Sequence, residues 1–379
     1  MPPKIDKFDA AIVGGGLFGA YAALYLHKKG LRVCLLEKEV RLFSKASIVN
    51  QARLHGGYHY PRSIATARMS DENKARFTRE HQNFINFSFQ QYYGIDRFSS
   101  LTDATQFERF CKYLDIPCQA VRNHPLIDMR RLEALYLTKE YSFDPLLMAN
   151  YYTRALQEAE GIVVKCGAEV LEGASSAGEW LVSYEQEGLR YQLISPQVIN
   201  ATYAATNALN RRFGMTSIDL QHEISEMVLL SSPELEGLGL TVMDGPFASL
   251  MPYGKTGLLS LSSVAYTHHK VSYGEEPSFG CQREHPDCRP DSPADCNYCP
   301  VRPRSAQSKM LAQIRQYFEP GVRFYYYSSL FTIKSKLQAN FIDDGRPTEI
   351  NCLRENPAFY CIFAGKINSI YEIERVLPL

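Results

Sequence analysis

Five side chains able to do polar chemistry fall within the octapeptide His55-Gly56-Gly57-Tyr58-His59-Tyr60-Pro61-Arg62. An imidazole that titrates near neutral pH can take a proton from an alcohol, a phenol can orient a substrate, and a guanidinium can hold a carboxylate or phosphate. His55, His59 and Tyr60 are therefore the candidate catalytic residues, with His59 the stronger candidate for lining a substrate. For His55 the competing reading is a histidine hydrogen-bonded inside a loop core.

A second group is made of thiols. Cys281, Cys288, Cys296 and Cys299 lie in a Pro-rich and charge-rich stretch, and the last two form a Cys-x-x-Cys pair. Four thiolates could hold a structural zinc ion and so order a segment with no apolar core of its own. The six residues between Cys281 and Cys288 exceed the usual spacing. Two disulfides, a redox-active pair, free thiols and an iron–sulfur centre stay open beside zinc.

The third group is backbone rather than side chain. Gly14, Gly16 and Gly19 form Gly-x-Gly-x-x-Gly between an apolar strand, Ala10 to Val13, and a helix from Leu17 to Lys29. The first glycine makes a tight turn, the second lets a pyrophosphate approach, and the third lets helix and strand pack closely. Gly30 ends the helix, a second strand runs from Leu31 to Leu36, and Glu37 follows, placed to accept from ribose hydroxyls. A carboxylate there disfavours a 2′-phosphate, which excludes NADP from this slot; NAD and FAD both remain.

The next segment, Ala46 to Ser63, resembles the D-amino-acid oxidase superfamily of FAD-dependent oxidoreductases, in particular its glycerol-3-phosphate dehydrogenase branch. The resemblance implies that Ser47 lies on the FAD phosphates, that Arg53 and Leu54 make backbone contacts to the isoalloxazine, and that His55-Gly56-Gly57 lies against the flavin. It also implies cofactor contacts from Phe18 in the glycine turn, from Lys38 beside Glu37, and from Val170 to adenine. The run Asn200-Ala201-Thr202 is similar to the family's Asn-Ala-Thr-Gly strand end, with Tyr203 where glycine is usual. Gly365-Lys366-Ile367 is similar to the C-terminal segment that closes over the flavin pyrimidine, with Ala364 replacing its first glycine. Lys366 and the following helix start would stabilise negative charge near flavin N1 and C2=O. Where the glycerol-3-phosphate dehydrogenases have arginines for the substrate phosphate, this chain has His59 and Tyr371. That departure implies no useful activity with glycerol 3-phosphate.

These groups need elements to position them. The 379 residues suffice for at least two domains. The pattern predicts an α/β protein with a discontinuous Rossmann-like FAD-binding domain and a second, α+β substrate domain built on an antiparallel sheet. The first would comprise residues 1–62, 144–215 and 335–379. The second would comprise residues 63–143 and 216–334, with a Cys-rich insertion at 274–303. Ile64 to Tyr93 is expected to be helical, as are Asp144 to Glu160, Ser305 to Tyr317 and Ile367 to Val376; residues 220–263 read mostly as strand. Asp244, Phe247, Ser249, Met251, Tyr253, His268, His269 and Arg346 are further candidates for substrate contact.

Composition narrows the partners. Forty-one basic residues balance 41 acidic ones, and 45% of the chain is hydrophobic. No net field draws nucleic acid or a lipid surface, and no apolar run reaches the roughly 20 residues of a membrane span. Glycines occupy the place of a signal peptide's apolar core, and six cysteines are scattered, so a reducing, cytoplasmic setting is expected.

The activity expected is hydride transfer from a C–OH or C–NH bond of a small polar metabolite to flavin N5, with oxygen or another acceptor taking the electrons. Alternatives are a flavin monooxygenase, a sugar-nucleotide mutase, or a non-catalytic flavin-binding partner protein. The Gly-Leu-Phe-Gly-Ala run also occurs in galactopyranose mutases. A Gly-Asp pair before the C-terminal turn, expected of a monooxygenase, is absent.

Overall fold

The computed structural model describes residues 5–65, 67–68, 73–338, 348–363 and 365–377. Arg346 and Ala364 lie outside the described residues.

Short apolar runs with no polar alternation make strands that must be covered on both faces. Ala10–Val13 and Val33–Glu37 are such runs, and they pair in parallel with the neighbouring strands Ile162–Cys166 and Gln197–Asn200. Ala358–Phe363 extends the parallel sheet, and Glu349–Glu355 closes its edge antiparallel. Helix Leu17–Lys28 leaves the first strand through Gly14, whose φ of 108° a side chain would oppose. Helix Pro145–Glu158 starts where Asp144 accepts from the N–H groups of Leu146 and Leu147, with Pro145 in the first turn. Both helices share one apolar core with this sheet through Ala20, Ala23, Met148 and Tyr152.

A nine-stranded sheet is built around the long strand Leu220–Ser231, and Ala168–Ser176, Glu179–Gln186, Leu189–Ser195 and Asp6–Lys7 form a separate four-stranded sheet. Tyr325–Leu337, His268–Gly274 and Leu259–Ser263 pair antiparallel with it. Farther along, Leu238–Met243 pairs in parallel with Gln90–Asp96. This last strand corrects the helix expected from Ile64 to Tyr93. Among the described residues there, α-helix is confined to residues 64–65, 67–68 and Lys74–Glu80, followed by the short strand Ile85–Asn86 and then Gln90–Asp96. Tyr93 and Ile95 face one core cluster and Tyr92 another, a period of two that aromatic and branched residues favour in a covered sheet.

A three-stranded ribbon bears directly on the chemistry. Arg53–Leu54 and Ile85–Asn86 both pair with Tyr141–Phe143, which fixes the start of the histidine loop. The insertion at 274–303 carries one short 3-10 turn, Gly280–Glu284, and otherwise irregular backbone. No helix among the described residues is long and apolar enough to cross a membrane.

Candidate functional site

The glycine turn is as tight as its composition requires. A Cβ on Gly14 would sit 2.6 Å from Ala201 O, one on Gly16 would sit 2.9 Å from Ser47 Oγ, and one on Gly19 would overlap Gly14 O. Gly16 caps helix Leu17–Lys28 with no side chain, and Ser47 Oγ accepts from Leu17 N at 3.1 Å. The helix start is therefore bordered by glycine backbone and the Ser47 hydroxyl, the kind of cradle a phosphate needs. Glu37 accepts from Gly15 N at 2.5 Å and from Glu39 N at 2.7 Å. Burial pushes its carboxyl above the usual range, opposed by those two bonds and by Lys45. Each carboxylate oxygen keeps a lone pair for a hydroxyl.

From this turn a cavity of about 960 Å³ runs to the histidine loop. Gly14, Gly16, Phe18, Glu37, Lys38, Ser47, Arg53, Val170, Ala201, Gly365, Lys366 and Ile367 line it, as do His55, His59 and Tyr60. Gly19 and Leu54 do not: Gly19 packs behind the turn, and Leu54 is fully buried in the core. Of the proposed substrate contacts, Asp244, Phe247, Ser249 and His268 reach the cavity. Met251 and Tyr253 are core residues, and His269 is hydrogen-bonded to Glu226 at 2.7 Å. Tyr371 turns away from the cavity, with its hydroxyl on Glu80 and its ring under the Arg76 guanidinium.

The histidine loop is held from beneath by a buried ion pair. Arg53 pairs with Glu140 and also donates to Tyr93 Oη at 2.5 Å, Ser249 Oγ at 2.6 Å and Thr241 Oγ1 at 2.7 Å. Burial opposes its charge, but Glu140, Tyr93 and Tyr60 together more than offset this and hold the guanidinium protonated. The second oxygen of Glu140 accepts from Gly56 N at 3.0 Å. Gly57, at φ 90°, then turns the chain beside Ala67. Beyond the turn the rings of His55 and His59 lie 5.7 and 5.6 Å from that of Tyr60, centroid to centroid. Lys366 Nζ, from the other end of the chain, lies 4.5 Å from the Tyr60 centroid. Arg62 is committed within the protein, donating from Nε to Asp244 at 2.5 Å while Thr102 Oγ1 donates to the same carboxylate at 2.9 Å.

Several cavity residues escaped the sequence. Lys334 and Lys336 line it from strand Tyr325–Leu337, and their alternation in Thr-Ile-Lys-Ser-Lys is the period-two signal that could have found them. Glu140 carried no local signal, because its role depends on a pairing across the fold.

The zinc expectation for Cys281, Cys288, Cys296 and Cys299 is not supported. Among the described residues no group of three or more His, Cys, Asp or Glu side chains is placed to hold a metal ion, and all ten cysteines are free thiols. Cys281 and Cys296 pack against an apolar cluster, and Cys288 Sγ accepts from Ala294 N at 3.4 Å.

Comparison with known proteins agrees with this architecture. A protein of Fusarium mangiferae named FAD-dependent monooxygenase FPY4 is 26% identical over 272 residues, 69% of this chain and 66% of that protein. The chain thus spans just under two thirds of that relative. FAD-dependent monooxygenase kojA of Aspergillus flavus is 40% identical over 79 residues, 21% of this chain and 18% of that one. L-alpha-glycerophosphate oxidase from Mycoplasma pneumoniae, solved with FAD bound, superposes with a TM-score of 0.73 at 16% identity, covering 98% of this chain and 94% of that one. Glycine oxidase from Geobacillus kaustophilus superposes with a TM-score of 0.70 at 16% identity, covering 98% and 96%. At that identity the likeness is one of fold. A family model described as "FAD dependent oxidoreductase" matches residues 9–328, and the chain belongs to this DAO family.

Proposed function

We propose that this FAD-dependent oxidoreductase oxidises a C–OH or C–NH bond of a small polar metabolite. The observation that carries the proposal is the meeting of His55, His59, Tyr60 and Lys366 on one wall of a cavity whose other end is the glycine turn. When bound, FAD supplies the hydride acceptor at N5. The glycine turn and Ser47 hold its pyrophosphate, Glu37 its adenosine ribose, and Val170 and Ala201 its adenine side. Gly365, Lys366 and Ile367 border the pyrimidine, where Lys366 supplies positive charge. His59 takes the proton from the substrate hydroxyl or amine, and Tyr60 orients the reacting carbon. His55, which lines the same cavity, would lie against the ring system. The Arg62–Asp244 pair forms a polar rim.

A monooxygenase is the second reading, favoured by the names of the two fungal relatives. Anaerobic mixing separates the two. Bleaching of the bound flavin by hydroxy acids, amino acids or sugars without a nicotinamide supports oxidation of substrate carbon. Bleaching by NADPH alone supports the monooxygenase.

A further inference from the structure

The Cys-rich insertion reaches the cavity beside Lys38 and Glu169. Asp291, Ser292, Pro293, Ala294 and Cys296 line the cavity together with Lys38, Glu169 and Val170. Three hydrogen bonds tie this segment to the loop after strand Val33–Glu37 and to strand Ala168–Ser176. Lys38 Nζ donates to Ser292 Oγ at 2.6 Å, Ser292 Oγ donates to Glu169 Oε1 at 2.8 Å, and Lys45 Nζ donates to the Pro293 carbonyl at 2.9 Å. Each has one charged partner, the stronger kind of hydrogen bond. Arg41 adds a bond to Tyr298 Oη at 2.7 Å, and Arg212 lies 3.8 Å from Asp291.

The thiols explain how an irregular segment keeps this shape. Cys281 and Cys296 pack with Phe279 against Ile224, Phe331 and Ile333 of the large sheet. Both thiols are partly buried there and pack as small apolar groups. One side of the insertion is thus anchored on the substrate-side sheet and the other on the residues that follow the second Rossmann strand.

We infer that the insertion is a cofactor clasp, in which residues 291–296 close the adenosine end of the FAD cavity and slow FAD release. The inference rests on the placement of the adenosine half at the Glu37 and Val170 end proposed above. Exit of the dinucleotide at that end requires the Lys38–Ser292–Glu169 chain to break, and its rupture belongs to the dissociation barrier.

The test uses the full-length chain reconstituted with FAD. Release is followed by recovery of flavin fluorescence after dilution, for wild type and for Ser292→Ala, which deletes two charge-assisted bonds without touching the glycine turn. The clasp requires release from the variant to be about tenfold faster, the scale set by losing such bonds. It also requires that trypsin cut after Arg283 and Arg304, which bracket residues 291–296 and precede no proline, more slowly in the FAD-loaded than in the apo protein, a readout that depends on no substitution. Unchanged release in S292A overturns the inference, as does an insertion cut equally fast in both forms, while FAD binding itself would stand. Failure of wild type to bind FAD is a different result, and removes the placement of the cofactor together with the clasp.

Discussion

Lys366 and Tyr60, drawn from opposite ends of the chain, meet with the ammonium 4.5 Å from the ring centroid. The cation is presented across the face of an aromatic ring, an attractive arrangement worth about 0.5–2 kcal/mol. It also joins the C-terminal turn to the histidine loop, so that two segments assigned to the same reaction are placed by one contact.

Replacing Lys366 with Met removes positive charge from the pyrimidine end while keeping its bulk. The midpoint potential of the bound flavin is expected to fall by about 30 mV or more, the two-electron equivalent of about 1.4 kcal/mol. Spectroelectrochemical titration measures this. An unchanged potential would place Lys366 outside the flavin's field.

His59→Asn should leave FAD bound and slow substrate-driven bleaching by about a hundredfold or more, the usual range for loss of a proton-transfer group. Stopped-flow absorbance under anaerobic conditions reads the rate directly. A reduction of less than about threefold would move the proton transfer to another group.

Glu140 carries the support of the histidine loop, since it holds both the Arg53 guanidinium and the Gly56 N–H. Glu140→Gln leaves Arg53 charged and buried without its counter-ion, which costs about 3–5 kcal/mol. Denaturant unfolding should show a loss of that size. A loss below about 1 kcal/mol would mean that Tyr93, Thr241 and Ser249 suffice to hold the guanidinium.

Acid should destabilise the large sheet through Glu226. Burial raises its carboxyl, but hydrogen bonds from His269, Ser305 and the Ala306 N–H together hold it below the usual carboxylate range. Its affinity for protons is lower folded than unfolded, so the unfolded chain takes up the proton first as pH falls. The stability it contributes is present above the unfolded value of about 4.3 and is lost as pH falls through its lower folded value. Thermal unfolding from pH 7 down to pH 3.5 should show this decline, and Glu226→Gln should flatten it. An equally steep decline in the variant would assign the acid sensitivity elsewhere.

The cofactor end of the site was legible in the sequence because its constraints are local. Gly14, Gly16 and Glu37 sit at spacings set by one strand, one turn and one helix, and the structure lines a single cavity with all three. The parallel strands were legible for the same reason, as short apolar runs between turns. Gln90–Asp96 was misread because its period of two spans few residues and follows a true helix without a glycine or proline between them. The substrate end was only partly legible. Arg62 looked available for an anionic substrate, yet Asp244, far along the chain, occupies it, and no local pattern announces such a partner. The thiols of the insertion suggested a metal by type and number, whereas the fold uses Cys281 and Cys296 as packing residues.

The measurement that bears most directly on hydride abstraction from carbon is a kinetic isotope effect on flavin bleaching. A substrate found by anaerobic screening would be prepared with deuterium on the reacting carbon and mixed with the FAD-loaded protein in the absence of nicotinamide. The account expects bleaching slowed several-fold by the deuterium, with H59N slower still. Flavin that is reduced only by NADPH, at a rate indifferent to deuterium in the organic substrate, would contradict it.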